Sequence, residues 1–365
     1  MKKNSYEAHF LNGGIFMKRI VALISCIILA SLTLALSACG NLENNEKTRK
    51  ITDMAGNEVV LPVEINTVVC QSATCESAVV SLGLADKLLY SASFTDEFVL
   101  ANELFPVLSD KPKNSAGMTN EELLLNNVDV VFVKSKSRVE PLRNAGLNPV
   151  FLDFNSVETT KEAILLMGEI LNVPNRAEKC VKYITDYEAL IADRMAGIDK
   201  ADYFSAYYAR TRYEDSSILS TYGPEHISAS WIELGGGSVI TKDMDLSNSN
   251  GVLTEEALIA ANPDVIFICG FYQGNAYREV TSGKYDSILS AVDNDRIYCC
   301  PIGIYDWGVG GCELGLAMIW CAKTLHPELF TDTNLKEVVK SFYLDVADVT
   351  ISDADVDYIF NGYLK

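Results

Sequence analysis

Basic residues, histidine and catalytic signatures are what this chain has little of. Against 49 Asp and Glu stand only 30 Lys and Arg, a formal charge of −19. That balance excludes a nucleic-acid binder, which needs clustered Lys and Arg to track phosphates. Only 3 histidines occur. There is no GxSxG, no GxxxxGK[ST] and no GxGxxG after a strand, so the hydrolase elbow, the P-loop and the dinucleotide fingerprint are all missing. The 10 cysteines form neither a CxxC pair nor a zinc-type Cys/His spacing. Long apolar runs are equally scarce: a single one, near the N-terminus, excludes a polytopic membrane protein.

That run decides the chain's expected destination. Lys18 and Arg19 precede Ile20–Ala38, 19 residues without a charge, and the run ends Leu36-Ser37-Ala38-Cys39-Gly40. A basic start, an apolar middle and small residues at the cut describe an export signal over 1–38. Leu-Ser-Ala-Cys resembles the lipobox of bacterial lipoproteins, in which the cysteine, here Cys39, is lipidated and becomes the new N-terminus. An uncleaved anchor is the alternative, and Met17 is a second candidate start. Residues 1–38 hold Lys2, Lys3, Lys18 and Arg19 against Glu7, so their removal takes the charge from −19 to −22. Residues 39–50 then read as a polar tether, and the expected product is an acidic protein lipid-anchored to the outer face of the cytoplasmic membrane. Eight further cysteines follow Cys39, several in strand-like runs such as TVVC and VIFIC, where a thiol behaves as a small hydrophobe. Buried thiols are expected, with disulfides the alternative.

From Ile51 onwards, β-branched runs alternate with helical patterns. Strand candidates are 67–71, 88–91, 128–133 and 149–153, then 203–210, 238–240, 264–269 and 296–300. Alternation of this kind predicts an α/β fold with parallel sheets. An internal echo divides it in two: TNEELLLNNVDVVFV at 119–133 and TEEALIAANPDVIFI at 254–268 share 7 of 15 residues at a constant offset of 135. In each copy a Thr caps a short acidic-start helix, an Asn ends it and a buried strand begins at Asp. The echo reads as duplication of a lobe, against convergence of a common helix-to-strand unit. The expected organisation is two parallel-sheet, Rossmann-like lobes, 51–157 and 200–343, joined by a long rigid helix over 158–199, with a helical tail over 344–365. A ligand cleft lies between the lobes, since such sheets bind ligands beyond the carboxyl ends of their strands.

The strand ends release aromatic and cationic residues. Phe94 and Arg138 come from the first lobe, and Tyr208, Arg212, Tyr272, Arg278, Tyr305 and Trp307 from the second. Aromatic faces stack on planar groups and arginine clamps carboxylates, so an anionic or flat conjugated ligand is expected. Trp307, Tyr305 and Tyr272 are the candidate walls, Arg212, Arg278 and Arg138 the clamps, and Phe94 and Tyr208 the second choices. His226, near the start of the helix that leads to Trp231, is either structural or an axial metal ligand. His326 reads as a helix-end residue. Gly235–Gly237 fit a helix end, and Ser352 caps a final helix.

With these residues in place, the chain from Ile51 to its end resembles the ABC-transporter substrate-binding proteins for ferric siderophores, haem and cobalamin. The resemblance rests on the opening ITDMAGNEVVLP, the turn SATCE ahead of SLG, the paired NVDVVF and NPDVIF, and WGVGGCELGLAMIWCAKTLHPELF at 307–330. It implies a non-enzymatic, monomeric receptor without a cofactor. The receptor takes an iron(III) chelate and hands it to a permease and its ATPase through one surface carboxylate per lobe, here Glu76 and Glu233. Cobalamin, haem or a nickel chelate is the alternative cargo, and a metal-chelate enzyme or an adhesin the rival class. The metal would arrive inside its chelator.

Overall fold

The two echoed segments fold alike, and the shared Thr, Leu, Asn and Asp do the same jobs in both copies. Thr119 and Thr254 cap the helices Asn120–Leu125 and Glu255–Ala261, accepting from the N–H groups of Glu122 and Ala257 at 3.2 and 3.1 Å. Leu123 and Leu258 are fully buried beneath these helices. Asn127 and Asn262 turn the chain at φ of 49° and 41°, a left-handed conformation that asparagine tolerates better than other side chains. Asp129 then accepts from the N–H groups of Asn66 and Thr67 at 2.7 and 2.9 Å, and Asp264 from that of Ser205 at 2.9 Å. Each carboxylate thereby pins the start of the strand beside its own.

These units belong to a computed structural model that describes residues 48–94, 98–113, 118–211, 217–247 and 251–361. The expected signal segment, Cys39, residues 40–47 of the tether and Arg212 lie outside the described residues. Strands β1 (Thr48–Thr52) and β2 (Glu58–Pro62) form a hairpin, so the last three tether residues already belong to the fold. Next, β3 (Val68–Cys70), β4 (Val130–Val133) and β5 (Pro149–Phe151) make a parallel sheet in that order. The candidate strand at 88–91 contributes one parallel bridge, Leu88 to Val68. The second sheet contains β6 (Phe204–Arg210), β7 (Ser220–Thr221), β8 (Gly237–Val239), β9 (Gly251–Val252), β10 (Val265–Cys269) and β11 (Ile297–Cys299). Its path is β11-β10-β6-β7-β9, with β8 also on β6; β6, β8, β10 and β11 are parallel, while β7 and β9 pair antiparallel. The α/β class and the two parallel sheets follow the expectation.

Alternate residues of each strand enter different cores. Val68, Val130, Phe132 and Val150 share one continuous core with Ala206, Tyr208, Val265 and Phe267 of the second sheet. Their neighbours Val69, Val131, Val133 and Phe151 form a second core, and Tyr207, Ala209, Ile266 and Ile268 a third. A parallel sheet buried on both faces reads as an unbroken apolar run, which is why VVFV and VIFIC do not alternate. Through the shared core runs the helix Leu314–Leu325, with ten buried residues. Each fully buried Leu or Ile there contributes roughly 1.5–3 kcal/mol.

Between the sheets the structure corrects the single helix expected over 158–199. Two helices fill the segment, Val157–Ile170 and Pro174–Met195. Asn172 at φ 59° reverses the chain and Pro174, which has no N–H to give, opens the second helix. The 22-residue second helix, about 33 Å long at 1.5 Å per residue, buries Ala177, Cys180, Ile184, Ile191 and Met195 along one face. At the crossing of the pair, a Cβ on Gly168 would lie 2.3 Å from that of Ala177. The eight cysteines among the described residues are all free, seven of them buried. No helix among the described residues is long and apolar enough to cross a membrane.

The helix crossing yields a direct test. Gly168→Ala should cost about 1–3 kcal/mol by overpacking, seen as a lower urea midpoint with an unchanged slope. An unchanged midpoint would mean that the crossing tolerates a wider separation than the structure shows.

Candidate functional site

The residues at the carboxyl ends of β4 and β6 supply positive charges that act on one imidazole, that of His226. Lys134 directly follows β4 and Arg210 ends β6. Arg210 is buried at 9% exposure, with its guanidinium 4.8 Å from the ring centroid of Tyr222. On Tyr222 the ring of His226 stacks nearly parallel, 3.7 Å centroid to centroid and 6° between planes. Tyr208, two residues before Arg210 and so on the same strand face, lies 5.7 Å from Tyr222 and 6.4 Å from His226. From the other lobe, the Lys134 Nζ donates to Thr74 Oγ1 at 3.4 Å, at the start of the helix Ala73–Ser81.

His226 is held by its position as well as by its neighbours. It caps the helix Ile227–Leu234: its Nδ1 accepts from the Ser228 N–H at 3.2 Å and lies 2.9 Å from Ser228 Oγ. Burial, followed by the positive charges of Lys134 and Arg210, pushes its pKa down to about 3. Burial also lowers the Lys134 ammonium from the ordinary lysine value, against the opposing pull of Cys75 and Asp153. Asp306, in the loop after β11, is buried and pushed up to about 6 by desolvation, although the Gly308 N–H donates to its Oδ1 at 2.9 Å. The site therefore gathers two cations, a neutral imidazole and one carboxylate that is hard to ionise. Among the described residues, no group of three or more His, Cys, Asp and Glu is arranged to hold a metal ion.

The loop after β11 is shaped by one carboxylate. Glu313, 4% exposed, accepts from Ile304 N–H at 3.2 Å, Tyr305 N–H at 2.9 Å, Trp307 Nε1 at 3.1 Å and Tyr343 Oη at 2.9 Å. Gly308 passes so close to Tyr208 that a Cβ would lie 2.0 Å from the phenol oxygen. Gly311, at φ 99°, brings the loop against Thr74 and Ser77 of the first lobe.

An aromatic cluster from both lobes stands by this loop. Phe98 stacks on Tyr305 at 5.2 Å and 19°, and its centroid is 3.9 Å from that of Phe271. Phe94 closes the group edge-on, 5.1 Å from Phe98 and 6.0 Å from Tyr305. Phe94 and Phe98 are buried.

Set against the sequence, Tyr305 and Phe94 share the aromatic cluster, while Tyr208 packs instead with Tyr222, His226 and Trp231. Tyr272, next to Phe271, is half-buried before the helix Gln273–Val280. Trp307 does not form a wall: at 1% exposure its indole N–H points into the protein, onto Glu313, and its ring packs edge-on against Phe360. Arg138 is exposed and donates to Gln71 at 3.0 Å. Arg278, also exposed, donates to Asn275 one turn back on its own helix. Neither arginine joins the buried group, and Arg212 lies outside the described residues. Glu76 is corrected as a surface carboxylate: at 1% exposure it folds inward and accepts from the Ser93 N–H at 3.0 Å, with burial raising its pKa. Glu233 remains at the surface beside Lys242, 3.5 Å away. Lys134, Arg210, Tyr222, Phe98 and Phe271 escaped selection. The signal for Arg210 was available in the period of two that places it with Tyr208.

No family model matches the chain. Molybdate-binding protein MolA of Haemophilus influenzae is 24% identical over 358 residues, which cover 90% of this chain and 96% of MolA. The solved structure of MolA bound to molybdate matches with a TM-score of 0.72 at 20% identity, over 83% of this chain and 99% of that one. A periplasmic solute binding protein from Veillonella parvula matches with a TM-score of 0.72 at 23% identity, over 86% and 97% of the two chains. Helicobacter pylori CeuE in a Ni-His complex matches with a TM-score of 0.66 at 18% identity, over 86% and 99%. The chain has the bilobed fold of these solute-binding proteins.

Asp306 supplies a pH test. Its folded pKa of about 6 lies above the ordinary 3.8, so the native state holds its proton longer than the unfolded chain does. Stability is therefore lost as pH rises between those values. Asp306→Asn keeps the acceptor for Gly308, and its gain over the parent should grow from pH 4.5 to on the order of 2–3 kcal/mol above pH 6.5. Urea midpoints at pH 4.5 and 7.5 measure this, and an equal gain at both would contradict a carboxyl raised by burial.

Proposed function

We propose that the chain is the extracytoplasmic solute-binding component of an ABC importer, and that its ligand is a compact anion: an oxyanion, or a small anionic metal chelate. The observation that carries the reading is the burial of Arg210, at the end of β6, against the Tyr222–His226 stack, with the positive charge of Lys134, at the end of β4, also acting on His226. Buried cationic donors suit a bound oxygen, because each charge-assisted hydrogen bond to it offsets part of the cost of their desolvation. The fold shared with named solute-binding proteins, one of them bound to molybdate, supports the same class. The larger iron(III) chelate expected from the sequence is less favoured, because Phe94, Phe98, Phe271 and Tyr305 pack on one another and so leave fewer ring faces for it to stack on. Delivery to a permease would use Glu233, and the anchor would be a lipidated Cys39. The chain carries cargo; the reading gives it no reaction to catalyse.

A thermal-shift screen against molybdate, tungstate, sulfate, ferric citrate, haem and cobalamin tests this reading. A ligand at 100 times its Kd adds about 2.7 kcal/mol to the native state. We expect a shift with an anion, and about a tenfold or greater loss of affinity in Lys134→Met and Arg210→Met, the roughly 1.5–3 kcal/mol of a charge-assisted bond. A shift with neutral cobalamin alone, unaffected by either substitution, would overturn it.

A further inference from the structure

His226 is the one polar ring in the cleft whose two nitrogens can be assigned from geometry. The backbone N–H of Ser228, 3.2 Å from Nδ1, can only donate, so Nδ1 must present its lone pair. A proton on Nδ1 would face that N–H and remove the cap of the helix Ile227–Leu234. The Ser228 hydroxyl, 2.9 Å from the same atom, rotates to share the lone pair. Tyr222 covers one side of the ring, and burial together with the positive charges of Lys134 and Arg210 disfavours the doubly protonated form. A neutral imidazole with Nδ1 bare carries its single proton on Nε2.

We infer that His226 is a fixed Nε2–H donor to a ligand oxygen, and that this tautomer selects ligands with acceptor oxygens over metal ions seeking a histidine nitrogen. The inference deepens the anion reading and rests on it for the ligand contact. A metal ion binds imidazole through a lone pair. On this ring the only lone pair already serves Ser228, and freeing the one on Nε2 would move the proton to Nδ1 at the expense of the helix cap. An oxygen of molybdate or a similar oxyanion needs the opposite: a ring nitrogen that keeps its proton. With the Lys134 ammonium and the Arg210 guanidinium, which have donors and no acceptors, the imidazole N–H completes a set made for an acceptor-only ligand. The metal-ligand role considered for His226 from sequence is thereby assigned instead to hydrogen bonding.

Ring nitrogen NMR on the full chain, labelled at histidine, tests the inference first without ligand. His226 should show a bare Nδ1 and a protonated Nε2, unchanged from pH 5 to pH 8. Added sodium molybdate or tungstate should shift the Nε2–H signal and leave Nδ1 in place, while Ni²⁺ should leave both untouched. His226→Asn, which keeps an oxygen to cap Ser228, should fold with a lower melting temperature, because the stack on Tyr222 is lost, and weaken oxyanion binding about tenfold, whereas Tyr222→Leu, which loses the same stack but keeps the imidazole, should weaken it less. A proton on Nδ1, an imidazolium at pH 7, selective broadening of Nε2 by Ni²⁺, or undiminished oxyanion affinity in His226→Asn would each overturn the inference, leaving anion binding to stand on its own thermal shift. Failure of every oxyanion to bind, with the tautomer as assigned, would overturn the anion reading and the contact with it.

Discussion

One buried carboxylate holds the ligand side of this protein in shape. Glu313 gathers two backbone N–H groups, an indole and a phenol from two segments of chain, and burial raises its pKa while those four donors oppose the rise. A Cβ on Gly303 would lie 2.1 Å from Glu313 Oε1, so the loop closes around the carboxylate with no space to spare. Everything the loop contributes follows from that anchor: Tyr305 is aimed at the aromatic cluster, Asp306 at Gly308, and Gly311 at the first lobe. An unsatisfied carboxylate in this position would be too costly to keep. The loop and its anchor therefore depend on each other.

The repeat made the fold legible. Thr, Leu, Asn and Asp at constant spacing each had a physical role that could be named in advance, and Asn127 with Asn262, or Asp129 with Asp264, carry out those roles in parallel. Where the reading failed, the deciding force was tertiary. Strands β7 and β9, two residues each, are too short to have a period. The break before Pro174 was marked by the proline itself, yet an apolar helical pattern on both sides hid it. The turn needs Asn172 in a left-handed conformation, which no period reveals.

Site residues were harder, because a strand end offers many side chains and only the packed protein decides which of them turn inward. Trp307 looked like a ligand wall among glycines, but Glu313 six residues ahead takes its N–H and draws the ring under the loop. Glu76 looked like a docking carboxylate on a helix, but the backbone at Ser93 needed an acceptor. In both cases a distant hydrogen-bond demand captured a residue that its local surroundings would have left exposed. Arg210 stood in plain view at the end of β6, and what concealed its role was the absence, from sequence, of Tyr222 and His226 beside it.

The free thiols have a consequence for how this molecule comes into being. Seven cysteines sit sealed in the cores as small apolar volumes, several with burial holding the thiol well above its usual pKa. Thiolate is the form that exchanges with disulfides, and here it is suppressed. The described fold thus has no covalent step to complete and no bridge to reshuffle. Sealed in this way, the seven buried thiols keep the same form in a reducing and an oxidising compartment, and Cys299 alone among the described cysteines is within reach of an oxidant.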